Sequence, residues 1–189
     1  MVAVLGAGAG SRMGGGKLGK DLGGRPLGAW ALSAALGLSA PVVLIASLEA
    51  PLWLDPALPG VELVANPQAA SGMASSLVLA GRMALERQAG ALLVMLADMP
   101  FVSTATLRAL VARTTADRVT ACRYEDGHLG PPACFGRLRL DGLLRLSGDA
   151  GARHLLNQPG FAEGLDGAGA ELMDVDTQED LQRARMLMR

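Results

Sequence analysis

Residues 1–17 read Met1-Val2-Ala3-Val4-Leu5-Gly6-Ala7-Gly8-Ala9-Gly10-Ser11-Arg12-Met13-Gly14-Gly15-Gly16-Lys17, and the change from an apolar run to a glycine-rich loop decides the fold. The run reads as a buried first strand and the loop as the turn that leaves it. Glycines let backbone N–H groups approach an anion closely. Arg12 and Lys17 add two cations to the same loop, a combination suited to holding phosphates and to neutralising charge as they are cleaved. The bland alternative is a flexible turn with incidental charges. Two better-known loops are excluded. A dinucleotide fingerprint beginning at Gly6 or Gly8 would need its third glycine where Ser11 or Met13 stands. A Walker loop would need glycine at Ser11 and a hydroxyl at Leu18 to hold a metal ion.

Outward from this loop, the apolar runs at 41–46, 61–65, 91–97 and 118–122 predict further buried strands. Helical apolar spacing marks 26–38, 73–89, 103–114 and 177–188. Strand and helix alternate, which predicts an α/β, Rossmann-like three-layer sandwich with a mostly parallel central sheet, and functional residues just beyond the strands' carboxyl ends. Residues 1–189 are read as one domain. The glycine-rich stretch 148–170 is expected to be the most mobile, and Gly130-Pro131-Pro132 to form a rigid turn.

Composition narrows the function. Half of the 189 residues are hydrophobic and 19% charged, with no apolar run near the roughly 18–20 residues of a membrane span, so no membrane partner is expected. The amino-terminal run lacks the basic region of a secretory signal, which predicts a cytoplasmic protein. Net charge is −1 and aromatic residues make up 3%, whereas nucleic-acid binding wants a basic face and stacking platforms. Cys122 and Cys134 are too few for a disulfide framework and lack zinc-ligand spacing, so both are read as core thiols. Of the 17 basic residues the two lysines, Lys17 and Lys20, both follow the glycine loop. An ammonium on a flexible stem follows phosphate oxygens more readily than a guanidinium fork.

Asp98 ends the apolar run 91–97, which puts its carboxylate beside the first-strand loop. Mg²⁺ takes hard oxygen ligands, one or two carboxylates plus substrate phosphates, so a second acid is expected elsewhere. Asn66, Gly72, Ser75 and Ser76 offer polar groups to a ribose or base edge at the start of a helix, where anions are also favoured; a cap by Ser71 is the plain alternative. Arg153 reads equally as a phosphate contact and as a solvated helix arginine. His128 and His154 have no ligand spacing.

These segments together resemble the MobA-like NTP transferase family. The first-strand loop is similar to that family's signature, with Gly6 where alanine is usual. Asn66-Pro67 and Gly72-Met73-Ala74-Ser75-Ser76-Leu77 resemble its second nucleotide-contacting stretch, and Leu96-Ala97-Asp98-Met99-Pro100 its metal-binding D-x-P. Gly148-Asp149-Ala150-Gly151-Ala152-Arg153 and Asp174-Val175-Asp176-Thr177-Gln178-Glu179-Asp180-Leu181 resemble two further segments in the same order. The resemblance implies a Mg²⁺-dependent nucleotidyltransferase. Its metal ligands would be Asp98 and Asp176, its catalytic groups Arg12, Lys17 and Asp98, and its nucleotide site Leu5, Gly6, Ala7, Gly8, Gly10, Ser11, Arg12, Lys17, Asn66, Gly72, Ser75 and Ser76. Pro132, Asp149 and Arg153 would face the acceptor. Asp176 also stands where it would cap a helix, with Glu179 completing a capping box.

Ala7 resembles the cytidylyl branch, whose extra methyl suits a pyrimidine. Gly6 beside it lacks a methyl and would enlarge the same pocket. The implied reaction is transfer of CMP from CTP to the phosphate of molybdopterin with release of pyrophosphate. The alternatives are GTP as donor, another cytidylyl product, or a non-catalytic carrier of the cofactor. The resemblance further implies a phosphorylated pterin acceptor, a monomer, and transient contact with a molybdoenzyme client.

Overall fold

A computed structural model describes residues 1–8, 16–48, 51–54, 58–148, 151–167 and 169–188. A seven-stranded sheet forms its middle, in the spatial order β5-β4-β1-β6-β8-β7-β9. The strands are β1 (Val2–Leu5), β4 (Val42–Ala46), β5 (Val61–Ala65), β6 (Ala91–Leu96), β7 (Val119–Arg123), β8 (Leu129–Gly136) and β9 (Glu163–Asp166), and a separate short hairpin pairs β2 (Asp21–Leu22) with β3 (Arg25–Pro26). The pairs β5·β4, β4·β1, β1·β6 and β7·β9 are parallel, while β8 runs antiparallel to both β6 and β7. The carboxyl ends of all the other strands of the sheet therefore lie at one edge, where the topology places a site.

The unbroken apolar runs arise because the central strands are covered on both faces. Val2, Val4, Leu93 and Met95 pack with α1 (Leu27–Leu36), α3 (Thr104–Arg113) and α6 (Gln178–Leu187). The alternate residues Ala3, Leu5, Leu92 and Val94 pack with α2 (Met73–Glu86), α4 (Asp141–Leu144) and α5 (Ala152–Leu156). The expected three-layer α/β architecture with a mostly parallel sheet is what the structure shows. Among the described residues no helix is long and apolar enough to cross a membrane. Cys122 and Cys134 are free, buried thiols in the core, and burial pushes Cys122 up to about 12.

One expectation is corrected. Gly130-Pro131-Pro132 is not a turn but lies within β8, at an irregularity where Ala121 pairs with Ala133 and the next residue, Cys122, with Gly130. Proline has no N–H for a ladder, so inside a sheet it sits at such a bulge. The stretch 148–170 contributes regular structure, α5 and β9, and β9 adds to the edge of β7.

Candidate active site

Lys17 begins a single 3-10 turn, Lys17–Gly19. The turn starts at Gly16 with φ 60°, a left-handed conformation that favours glycine. Leu18 is buried in the core against α1's side of the sheet, which fixes the turn and leaves Lys17 directed along the sheet edge. On the neighbouring strand, Ala97 donates its N–H to the Leu5 carbonyl at 3.0 Å, continuing the β1·β6 ladder to the residue before Asp98. Buried Met99 and Val102 anchor the chain beyond.

The third component arrives from the far end of the chain. Val175 is fully buried and donates its N–H to the Asp98 carbonyl at 3.0 Å. That bond sets the extended segment 173–176 against the end of β6. Asp176 is not the cap of α6. Thr177 is, accepting from the Asp180 N–H, while the Asp180 carboxylate accepts from Thr177 in a complete capping box. The cap lies one residue later than the sequence suggested, so the Asp176 carboxylate is free to turn toward the site.

The Lys17 Nζ donates to Asp98 Oδ2 at 2.6 Å and to Asp176 Oδ1 at 2.8 Å. Burial alone would lower the lysine, but the Asp98 charge and the hydrogen bonds it donates to both carboxylates outweigh it, and the ammonium is held above its ordinary value. The other oxygen, Asp98 Oδ1, is buried without a hydrogen-bond partner among the described residues. Asp174 lies close by on the same extended segment. Burial, then the like charges of Asp176 and Asp98, raise its carboxyl above the ordinary range.

This donor set fits a hard divalent cation. Two carboxylates converge on one point, and one buried carboxylate oxygen has no partner among the described residues. Among the described residues no cluster of three or more His, Cys, Asp or Glu side chains is arranged to hold an ion by itself. Mg²⁺ takes one or two carboxylates and completes its shell with water and phosphate.

On the opposite face of the sheet, Asn66 follows β5 and is 3% exposed. Its amide donates to Ser75 Oγ at 2.8 Å and Ser76 Oγ at 2.9 Å, and its carbonyl accepts from the Gln68 N–H at 2.9 Å. The sequence suggested that Asn66 offers these groups to a nucleotide. In the structure they tie the end of β5 to the first turn of α2. Gly72, at φ 104°, caps that helix without a side-chain bond. Ser71 instead donates its hydroxyl to the Gln68 carbonyl. Ala74 donates to the Gly148 carbonyl at 3.3 Å, which ties Gly148 to the start of α2.

The other predicted residues scatter. Leu5 is 8% exposed within the core, whereas no atom of the described residues lies within 4 Å of where a Cβ on Gly8 would stand. A Cβ on Gly6 would lie 3.2 Å from a methyl of Leu18, 3.2 Å from one of Leu44 and 3.5 Å from Ala97 Cβ. The missing methyl thus faces the core beneath the Lys17 turn, and Gly6 does not enlarge a base pocket. Ala7 is half-buried. Pro132 is buried in the β8 bulge, and Arg153 is exposed on α5, its guanidinium 4.0 Å from Asp126. Gly10, Ser11, Arg12 and Asp149 lie outside the described residues.

Sequence reasoning missed Asp174 and Tyr124. Asp174 had a signal: in an extended segment residues two apart share a side, so Asp174 and Asp176 flank the buried Val175. Tyr124 follows β7, donates its hydroxyl to the Pro131 carbonyl at 2.7 Å and stacks on His128 with centroids 4.4 Å apart. These two rings, with Met173, Asp174, Asp180 and Arg183, border a cleft of about 470 Å³ beside the acidic residues.

Three comparisons bear on this arrangement. Purine catabolism protein PucB of Bacillus subtilis (strain 168) is 33% identical over 201 residues, spanning 97% of this chain and 95% of its own. The manganese complex of Rv0371C from Mycobacterium tuberculosis H37Rv superposes with a TM-score of 0.74 at 27% identity, over 98% of this chain and 97% of that one. A nucleotidyl transferase from Methanothermobacter thermautotrophicus shares the fold with a TM-score of 0.83 at 24% identity, over 98% of this chain and 95% of its own. The model of the MobA-like NTP transferase domain matches residues 2–163; the chain belongs to that family and is a nucleotidyltransferase of the MobA-like kind.

Proposed function

We propose that the protein transfers CMP from CTP to a phosphorylated pterin of the molybdopterin class and releases pyrophosphate. The observation that carries the reading is the meeting of Asp98 and Asp176 on the Lys17 ammonium at the carboxyl edge of the sheet. A phosphate-seeking cation and two metal-type ligands share one point there. Asp98 and Asp176 would hold Mg²⁺, which supplies orientation and polarisation of the α-phosphate when bound. Manganese in a relative of the same fold supports a divalent ion in this class of protein.

The chain's own groups divide the remaining work. Lys17, and Arg12 in the same loop, neutralise the β- and γ-phosphates and the charge that moves onto pyrophosphate. Asn66 acts through Ser75 and Ser76, presenting the first turn of α2 to the nucleoside, and Gly72 keeps that approach free of a side chain. An acceptor phosphate oxygen attacks the α-phosphorus in line, the bond to the β-phosphate oxygen breaks, and no covalent enzyme intermediate forms. The nucleophile is already ionised near neutral pH, so no dedicated base is required. The acceptor would enter from the cleft bordered by Tyr124, His128 and Asp174, with Arg153 at its rim through its contact with Asp126. Ala7 supports CTP over GTP as donor. We further propose that residues 1–189 act as one domain and as a monomer in the cytoplasm, with transient contact to a client molybdoenzyme.

Pyrophosphate release measured with CTP, GTP, ATP and UTP in the presence of Mg²⁺ and molybdopterin tests the reading. CTP should dominate, and Asp98→Asn should lower turnover by a factor on the order of 10²–10³ with an unchanged circular dichroism spectrum. Near-normal release by Asp98→Asn would remove the metal assignment. Preference for GTP would assign the guanylyl reaction instead, and nucleotide binding without any release would leave a carrier.

A further inference from the structure

Lys17 stands where a metal ion is needed. Its ammonium is within 2.8 Å of an oxygen from each of Asp98 and Asp176, and its side chain is only 12% exposed. A cation of charge +1 and a dication cannot occupy that point together, so one has to leave before the other binds. The lysine does not satisfy the site fully, because among the described residues Asp98 Oδ1 stays buried and unmatched. The pocket therefore has room for more positive charge than one ammonium supplies, provided the ammonium has another anion to go to. A four-carbon stem beginning on the 3-10 turn makes such a move without disturbing the core.

We infer that Lys17 is a resident counter-ion that holds the two carboxylates together and keeps divalent metal out until a triphosphate draws the lysine away. The inference rests on the nucleotidyl-transfer reading of the site and adds an order to it. Metal and nucleotide bind with strong positive coupling, and metal alone binds weakly. By linkage each strengthens the other by the same factor. The device spares an acidic site from loading ions in the absence of substrate.

Titration of the metal-free protein with Mn²⁺ alone, followed by loss of the free-ion paramagnetic resonance signal, tests this without any turnover. Lys17→Met and Lys17→Gln should bind Mn²⁺ about tenfold or more tightly than the unmodified protein, within the range of ordinary coupling between ligands. Should either variant need metal to fold, a larger rise in its unfolding midpoint on adding Mn²⁺ than in the unmodified protein is the same result. Equal or weaker binding by both variants overturns the counter-ion role. Asp98→Asn separates that failure from a failure of the site. If Asp98→Asn abolishes Mn²⁺ binding while the lysine variants bind as the unmodified protein does, only the lysine inference falls. If Lys17→Met/Asp98→Asn keeps the affinity of Lys17→Met, the ion lies elsewhere, and the metal assignment falls with the inference.

Discussion

Asn66→Ala decides whether this asparagine serves the nucleotide or the scaffold. Truncation removes three hydrogen bonds, to Ser75, Ser76 and the Gln68 N–H. Their losses are unequal. Gln68 is exposed and Ser75 partly so, and water replaces those partners at a cost of about 0.5–1 kcal/mol each. Ser76 is 4% exposed, so its hydroxyl is stranded at a cost of about 1–3 kcal/mol, the lower end applying if it turns back to a helix carbonyl. The expected total is about 2–5 kcal/mol, which for a chain of this size lowers the melting temperature by roughly 4–20 °C. Urea and thermal unfolding of the ligand-free protein measure it. A double-mutant cycle with Ser76→Ala should show a coupling of at least about 0.5 kcal/mol, since the two residues are in direct contact. If Asn66→Ala melts within about 2 °C of the unmodified protein, below the smallest shift worked above, yet raises KM for the nucleotide, the scaffold argument is refuted.

Two further outcomes follow from the same geometry. Gly6→Ala places a methyl among the ends of two flexible leucines. Its burial, about 0.8 kcal/mol, and its smaller unfolded-state entropy roughly offset an overpacking cost of about 1–3 kcal/mol, so stability should shift by no more than about 2 kcal/mol and the ratio of kcat/KM for CTP and GTP should not move; a changed ratio would place Gly6 against the base after all. Asp174→Asn should raise the melting temperature of metal-free protein at pH 7, because the folded carboxyl is held above its ordinary value. Below the ordinary carboxylate range both folded and unfolded states are protonated and nothing is lost; as pH rises through the interval up to the raised folded value, the native state alone keeps its proton and stability falls. The gain from Asp174→Asn should therefore fade on acidification to below pH ~4, and a gain that is independent of pH would point to packing and not charge.

The parts of the fold that were legible share one physical property. β1, β4 and β6 are covered on both faces, so their sequences are unbroken apolar runs that cannot be mistaken for loops. The strands that escaped notice are those that break this rule. β9 is an edge strand of four residues with exposed ends, β2 and β3 are two residues each, and β8 carries adjacent prolines. The site was legible as a set of residues and not as an arrangement. Lys17, Asp98 and Asp176 each stand out beside a strand end or a helix start. Their meeting depends on the Val175 to Asp98 backbone bond, which no local pattern announces. Gly6 shows the same limit: its sequence neighbour Ala7 suggested a pocket, whereas strand alternation carries Gly6 to the face on which Val2 and Val4 pack.

The prolines that hid β8 also explain how the far end of the chain reaches the site. β6 pairs with β1 as far as Leu96, but with β8 only from Ala91 to Val94. Beyond Ala133 the partner strand offers Pro132 and Pro131, which have no N–H to give. The last residues of β6 are therefore left without a ladder on that side, and the chain at 173–176 takes the place, with Val175 donating to the Asp98 carbonyl. Had β8 continued its pairing, the edge beside Asp98 would be closed and Asp176 would have no route to Lys17. The irregularity in the one antiparallel strand thus lets a carboxylate from residue 176 stand opposite one from residue 98, with the lysine of residue 17 between them.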